Sequence, residues 1–168
     1  MKACFDVQYT DRKACVAAVI FEHWQDEQAS DIITHIVEEV NDYVSGSFYK
    51  RELPCLLEIL PKIPYELECL IIDGNVYLQL EKPGLGAYLY EAIEAQIPVI
   101  GVAKNKFKSL DFFQEVFRGN SIKPLIVTSA GIDTELAARY IQKMHGPFRV
   151  PTLLKHVDRA ARDGLLGF

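Results

Sequence analysis

The stretch Glu68-Cys69-Leu70-Ile71-Ile72-Asp73-Gly74 contains a run of apolar residues that ends in a carboxylate and a glycine. Such a run is typical of a strand buried on both faces of an α/β sheet. Asp73 would then stand at the carboxyl end of the strand, where open α/β sheets bind their ligands. Gly74 allows the chain to turn sharply straight after it. The sequence therefore predicts a functional edge at Asp73, provided that other reactive side chains reach it.

The composition is that of an ordinary globular protein. The chain has 168 residues, of which 49% are hydrophobic and 24% are charged, and this length suits one domain over residues 1–168. The formal net charge of −5 argues against a generally basic nucleic-acid coat, but it is compatible with a local basic groove. No apolar run is long enough to cross a bilayer, so we expect no membrane partner.

The N-terminus and the cysteines bear on the compartment. The chain begins Met1-Lys2-Ala3-Cys4-Phe5-Asp6, which is charged too early for a secretory signal. The four cysteines have no CxxC spacing and lie mostly in apolar runs. This usage predicts buried thiols in a reducing, cytoplasmic environment and argues against a zinc site.

The first part of the chain predicts an antiparallel sheet followed by a helix. Alternating residues over 2–9 and an apolar run over 14–21 predict a β-hairpin. The β-branched residues of 31–40 favour a third antiparallel strand. Residues 52–63 have the apolar period of a helix.

The second part predicts a parallel unit. The strand ending at Asp73, a helix over 85–95 and a buried strand over 98–104 imply a right-handed crossover. The phenylalanine-rich segment 107–117 predicts loops or a short helix, and 124–128 predicts a last strand. Two C-terminal helices are expected over 133–145 and 151–163. Three antiparallel strands followed by β-α-β-α elements are the order of a ribonuclease-H-like fold, with a mixed sheet flanked by helices.

Three carboxylates are candidates for a shared site, and each also has a simpler explanation. Asp6 lies in the middle of a strand, where the simpler expectation is that it faces solvent, because a buried carboxylate without a partner is costly. Glu52 begins a helix, whose dipole stabilises a negative charge there. Asp73 would also serve as a cap on the turn that follows it. For each carboxylate taken alone, both the simpler structural explanation and membership of a shared site remain open.

Taken together, the three carboxylates predict a metal site. A first strand, a helix start and the end of a neighbouring strand can bring their side chains to one patch. Clustered carboxylates repel each other unless a hard cation neutralises them, and Mg²⁺, with Mn²⁺ as a substitute, prefers such oxygen ligands. The ion could activate a water and stabilise the charge that develops on a phosphodiester.

Short motifs along nearly the whole chain match one family in their order. They are Asp6-Val7-Gln8-Tyr9, Tyr43 to Pro54 with its Arg51-Glu52-Leu53-Pro54 end, Ile72-Asp73-Gly74, Pro83 to Ala87, Ile100-Gly101-Val102-Ala103-Lys104, Lys123 to Gly131 and Arg149 to Thr152. In this series the chain resembles the endonuclease V family, ribonuclease-H-like nucleases that act at deaminated adenine (inosine) in nucleic acids. The resemblance implies a metal-dependent endonuclease that hydrolyses a phosphodiester near the modified base, in nucleic-acid repair.

The resemblance also implies roles for single catalytic residues. Asp6 and Asp73 would be Mg²⁺ ligands, and Glu52 a third catalytic acid near the metal. Lys104 would face the phosphate or the attacking water, although a lysine that merely ends a strand in solvent is the simpler alternative.

A second set of residues is implied to contact the nucleic acid. Tyr43 would belong to a wedge that opens the duplex beside the modified base, where new contacts offset the cost of unstacking. Arg51, Gly46 and Gly84 would bind or closely approach the nucleic acid. A surface tyrosine and ordinary turns are the simpler alternatives.

The chain departs from the family pattern in two places near these motifs. Asp42 and Ser45 stand where the family wedge has prolines, so we expect a weaker grip on separated strands. The family's His-Pro-Arg segment after the Asp-Gly motif is missing, and residues 79–82 stand near its place. These departures favour an alternative in which the protein is a nucleic-acid-binding module with weakened catalysis.

A third departure concerns the C-terminal signature. The family's histidine after the glycine is absent, and Gly131-Ile132-Asp133-Thr134 stands there. Asp133 could supply a fourth acidic ligand, or it could cap the following helix. His145 and His156 remain as stand-ins, although both are expected to be ordinary helix-end or surface residues. The partner, DNA or RNA with a modified base, and the oligomeric state stay open at this stage.

Overall fold

The computed structural model describes residues 1–10, 12–38, 40, 49–79, 82–108 and 110–167. The chain begins with strands β1 (Lys2–Tyr9), β2 (Lys13–Phe21) and β3 (Asp31–Glu38). Each is antiparallel to the strand before it. The predicted hairpin and third antiparallel strand are therefore confirmed.

The parallel part of the sheet follows helix α1 (Tyr49–Ile59), which ends in a 3₁₀ turn (Leu60–Lys62). The elements after it are β4 (Cys69–Asp73), the short paired strands β5 (Tyr77–Gln79) and β6 (Lys82–Pro83), helix α2 (Leu85–Ala92) and β7 (Val99–Ala103). Strand β4 lies between β1 and β7 and is parallel to both. This arrangement confirms the predicted parallel strand-helix-strand unit.

The C-terminal part closes the sheet and covers it. Its elements are β8 (Gln114–Val116), β9 (Leu125–Ala130), α3 (Thr134–Lys143) and α4 (Thr152–Leu166). Strand β9 is antiparallel to both β7 and β8. The sequence predicted loops or a short helix where β8 lies. Its three residues become a strand because they pair with β9, a tertiary context that overrides weak local preference.

Within the described residues the main sheet has seven strands in the order β3-β2-β1-β4-β7-β9-β8. Helices α1 and α2 pack on one face, where Phe5 and Ile72 lie in the core. Helices α3 and α4 pack on the other, where Ile71 and Ile100 are buried. The predicted mixed sheet flanked by helices is confirmed. Among the described helices, none combines the length and the apolar character needed to span a bilayer.

Candidate metal and nucleic-acid site

The register of the parallel strands brings Asp6 and Asp73 together. Phe5 of β1 pairs with Ile72 of β4, so the next residue on each strand is one of the two carboxylates. Side chains alternate between the faces of a sheet. Asp6 and Asp73 therefore lie on the same face as Ile71, which is the face that α4 covers. Lys104 follows the end of β7 at the same edge.

Asp6 is buried rather than solvent-facing, with 7% of its surface exposed. Its Oδ1 accepts a hydrogen bond from the Val7 amide (2.9 Å), and its Oδ2 accepts one from Gln8 Nε2 (3.1 Å). Burial raises the pKa of Asp6 to about 6, and the charges of Asp73 and Asp158 raise it further against the effect of the Gln8 hydrogen bond. The simpler expectation for Asp6 is therefore wrong.

Asp73 stands at the end of β4, beside a cation. Lys104 Nζ lies 3.8 Å from Asp73 Oδ2, and both side chains are about half exposed. Desolvation raises the pKa of Asp73, and the charge of Asp158 raises it too, whereas Lys104 lowers it. Lys104 thus forms a half-exposed ion pair at this edge, and its role toward the phosphate or the attacking water stays a prediction.

Asp158 of α4 is a further acid at this site, and it is not among the residues predicted from the sequence. Gln8 Nε2 lies 3.2 Å from Asp158 Oδ1 and so donates to the carboxylates of both Asp6 and Asp158. Arg162 NH2 donates to both oxygens of Asp158, at 2.9 and 2.7 Å. The only sequence signal was an acid one helical turn before an arginine, a spacing that is common on helix surfaces.

Glu52 reaches the same electrostatic environment from the opposite face of the sheet. It lies in the first turn of α1 and is only 4% exposed. Its Oε2 is buried and has no hydrogen-bond partner among the described residues. Burial raises the pKa of Glu52 well above its ordinary range, and the charges of Asp6 and Asp73 add to this effect.

These side chains fit an oxygen-ligated cation, although the described residues contain no three His, Cys, Asp or Glu gathered tightly enough to hold one as they stand. Asp6, Asp73, Lys104 and Asp158 line a cavity of about 30 Å³, which has room for a water-sized occupant. The donors are all carboxylates, a set that suits Mg²⁺. A bound cation would offset their mutual repulsion.

Asp133 does not reach this cavity, and its predicted role as a fourth acidic ligand is corrected. Strand β9 runs opposite to β7, so that Ala130 pairs with Val99 and the chain leaves β9 at the far edge of the sheet. There the Asp133 carboxylate caps α3 by accepting a hydrogen bond from the Leu136 amide (2.9 Å). The two histidine candidates are also absent from the cavity lining: His145 contacts Thr152, and His156 is exposed.

The structure describes only two of the four residues that were predicted to contact nucleic acid, Arg51 and Gly84. Tyr43 and Gly46 lie outside the described residues. Arg51 stacks over the Tyr9 ring, with 4.1 Å from its guanidinium carbon to the ring centroid, and donates to the Thr10 carbonyl (3.4 Å). Gly84 precedes α2, and a Cβ there would meet the Asn75 carbonyl oxygen at 2.5 Å. Gly84 therefore serves close packing within the chain, and its contact with nucleic acid stays a prediction.

A cleft of about 250 Å³ opens beside the carboxylate cavity, and Asp73 lines both. Tyr49, Asn75, Gly84 and Phe107 form other parts of the cleft wall. Tyr49 is fixed by stacking on Tyr88 of α2, with ring centroids 3.9 Å apart. The cleft is therefore a preformed, partly aromatic space directly next to the acidic residues.

Known proteins of one family are similar to this chain in sequence and in fold. Endonuclease V of Bacillus subtilis is 38% identical over 72 residues, which are 42% of this chain and 29% of that relative. Endonuclease V of Streptomyces avermitilis is 26% identical over 95% of this chain and 78% of its own length. The chain thus aligns with less than a third of the first relative and with most of the second.

The fold comparison identifies the sheet as ribonuclease-H-like, as predicted. The crystal structure of Ciona intestinalis Endonuclease V in complex with a 24mer DNA containing an inosine followed by a ribo-adenosine matches with a TM-score of 0.80 at 19% identity. The match covers 99% of this chain and 86% of that chain. The sequence profile of Endonuclease V matches residues 2–143. The chain therefore belongs to the Endonuclease V family.

Proposed function

We propose that this protein is a metal-dependent endonuclease that hydrolyses a phosphodiester near a deaminated base, inosine, in DNA or RNA. The observation that carries the proposal is the meeting of Asp6, Asp73 and Asp158 around one small cavity, with Lys104 at its rim. Carboxylates that bind no ligand are expected to lie apart, because burial and mutual repulsion destabilise their charged forms. Family membership and the inosine-containing DNA bound by the Ciona relative agree with this function.

Different residues of the chain would bind the metal, contact the phosphate and transfer a proton. Asp6, Asp73 and Asp158 would hold Mg²⁺, which when bound activates a water and stabilises charge on the phosphodiester. Lys104 Nζ can donate to a phosphate oxygen at the same rim. Burial raises the pKa of Glu52 well above its ordinary range, and its carboxyl group can take up and release a proton.

The cleft beside Asp73 suits an extruded purine base. The Tyr49 ring forms one part of its wall and can contact a flat base, since aromatic rings stack on bases. Asn75 lines the cleft, and its Oδ1 is buried with no hydrogen-bond partner among the described residues. The ring N1–H of hypoxanthine is a donor, whereas N1 of adenine is an acceptor. A rotation of the Asn75 side chain that exposes this acceptor to the cleft would therefore favour the deaminated base.

Replacing single acids tests the proposal. Asp6→Asn and Asp73→Asn should each lower Mg²⁺-dependent cleavage of inosine-containing oligonucleotides by about 100-fold or more, because transition-state charge loses its support. Asp133→Asn is the matched control, since it removes the same charge at the far edge and keeps a capping side chain. Product is measured on labelled DNA and RNA strands with inosine or adenosine, and circular dichroism checks folding.

Two outcomes would separate the alternatives. Full cleavage by both Asp6→Asn and Asp73→Asn would contradict the metal site. Binding of the same strands by the wild-type protein without product, in Mg²⁺ and in Mn²⁺, would support the weakened binding module instead. Mg²⁺ should also raise the melting temperature of the wild-type protein, because a ligand that binds only the folded state stabilises it.

A further inference from the structure

A second groove begins at Lys104, a residue that also lines the carboxylate cavity. It has a volume of about 230 Å³. Its charged and polar lining consists of Lys104, Asn105, Lys106, Glu115, Lys123 and Arg149, and we call it the basic groove. The set contains four cations and one carboxylate, although the whole chain has a net charge of −5.

We propose that the basic groove binds the phosphates of a single-stranded nucleic acid, on the side of the cut bond opposite the modified base. The inference rests on the proposed function and adds where the rest of the strand runs. Lys104 lines both the basic groove and the carboxylate cavity, and Asp73 lines both that cavity and the cleft proposed above to hold the base. The cleft and the basic groove thus each adjoin the carboxylate cavity, so that one strand with its cut phosphate at the cavity can reach both.

Three of the four cations of the groove are available to a ligand, whereas Lys104 is paired with Asp73. Within the described ranges of the chain, Lys106, Lys123 and Arg149 form no ion pair, whereas nine other pairs involve different cations. Arg149 donates to the carbonyl oxygens of Lys104 and Pro124, the latter at 2.7 Å. These neutral partners fix its guanidinium without cancelling its charge. Arg149 thus ties the end of β7 to the start of β9 and forms a rigid, positive wall.

Two aromatic rings next to residues of the groove lining favour a single strand over a duplex: Phe113 contacts Lys106, and Phe148 precedes Arg149 in the chain. The Lys106 ammonium lies 4.2 Å from the centroid of the Phe113 ring, and the Lys155 ammonium lies 4.0 Å from that of Phe148. Phe148 is 62% exposed although it is a large apolar residue. Sequence-tolerant single-strand sites combine cations that follow the backbone with rings on which unpaired bases stack. Paired bases in a duplex present no free face to such rings.

A binding measurement without catalysis tests the groove. Two labelled single strands of equal length each carry one inosine. In the first strand the inosine is near the 5′ end, so the long flank lies on its 3′ side; in the second strand it is near the 3′ end, so the long flank lies on its 5′ side. Anisotropy in EDTA is measured for the wild-type protein and for the Lys106→Gln/Lys123→Gln variant. We expect about tenfold weaker binding of one strand only. For that strand, the slope of log K against log salt should shrink by about 1.4, since each lost contact contributes roughly 0.7.

The control is Lys62→Gln/Arg139→Gln, which removes the same charge from exposed positions outside every cavity lining described above. It should bind both strands as the wild-type protein does. Unchanged binding by the groove variant, or an equal loss for both strands, would overturn the groove, and so would failure of the wild-type protein to bind either strand. Cleavage with Mg²⁺ is scored separately. If the groove variant binds only one of the two strands more weakly and the wild-type protein cleaves neither, the groove is supported and the proposed function is contradicted. If the wild-type protein cleaves but the groove variant shows no such strand-specific loss of binding, the proposed function is supported and the groove is contradicted.

Discussion

Asp6 is the residue at which folding and function oppose each other most directly. Its carboxylate is almost out of water, and its charge faces those of Asp73 and Asp158. Only two hydrogen bonds, from Val7 and Gln8, support the ionised form. A cation would relieve this repulsion. Without one, the ionised form of Asp6 should lower the free energy of unfolding.

The stability of the metal-free protein should therefore depend on pH through Asp6. The ordinary pKa of an aspartate is 3.8, and that of folded Asp6 is about 6. Between these values the folded state binds more protons than the unfolded state, so the free energy of unfolding falls as pH rises. The fall attributable to Asp6 amounts to roughly 3 kcal/mol, at about 1.4 kcal/mol per pKa unit.

Asp6→Asn should lose that part of the pH dependence and be more stable than the wild-type protein at pH 7. Urea unfolding in EDTA from pH 4 to pH 7 measures the difference. Asp133→Asn serves as the control and should follow the wild-type curve. If the curves of the wild-type protein and Asp6→Asn ran parallel across this range, the buried charge of Asp6 would not set the pH dependence.

At the scale of elements, the turn after β4 is held by a neighbouring strand. The buried Val76 amide donates to Thr128 Oγ1 of β9 (2.8 Å). Between them lies Gly101 of β7, where a Cβ would meet the Gly74 carbonyl oxygen at 2.5 Å and Thr128 Oγ1 at 2.8 Å. Gly74 itself has a φ of 134°, which other residues rarely adopt. Three strands together thus fix the position of Asp73.

Thr128→Val should test this support. The substitution keeps the shape of the side chain but leaves the buried Val76 N–H without an acceptor, which costs roughly 1 to 3 kcal/mol. Because this hydrogen bond holds the turn that follows Asp73, its loss should also reduce the rise in melting temperature that Mg²⁺ produces. Thr128→Ser keeps the hydroxyl and should retain most of both. A larger loss in Thr128→Ser than in Thr128→Val would show that the methyl contact of Thr128, not its hydrogen bond, supports the turn.

The elements themselves were largely predictable, because β4, β7 and α4 carry local apolar patterns long enough to be decisive. The roles of single residues were not predictable where they depend on how elements far apart in the sequence pack together. Asp158 belongs to the site because α4 lies across the face that carries Asp6, which no spacing in the sequence expresses. Asp133 was misplaced for the converse reason: β9 is antiparallel to β7, so a residue that follows a strand does not stand at the same edge as Asp73.

For the whole molecule, the site depends on how closely α4 approaches the sheet. The helix buries Leu153, Val157 and Ala161 against it. Gly164 packs so tightly that a Cβ there would collide with the Sγ atom of Cys15 on β2. Cys15 is fully buried. The distance between α4 and the sheet, and with it the position of Asp158, is therefore set partly by two small residues remote from the cavity.

A double-mutant cycle on this pair tests the coupling between packing and site. Gly164→Ala should lower the free energy of unfolding by about 1 to 3 kcal/mol through overpacking and should reduce the stabilisation by Mg²⁺, because α4 carries Asp158. In a Cys15→Ala background the same change should become neutral or stabilising by up to about 1 kcal/mol, because alanine is the better helix former, and the Mg²⁺ effect should return. Urea unfolding with and without Mg²⁺ measures all four proteins. Equal effects of Gly164→Ala in both backgrounds would show that Cys15 does not limit the approach of α4, and that the position of Asp158 is set elsewhere.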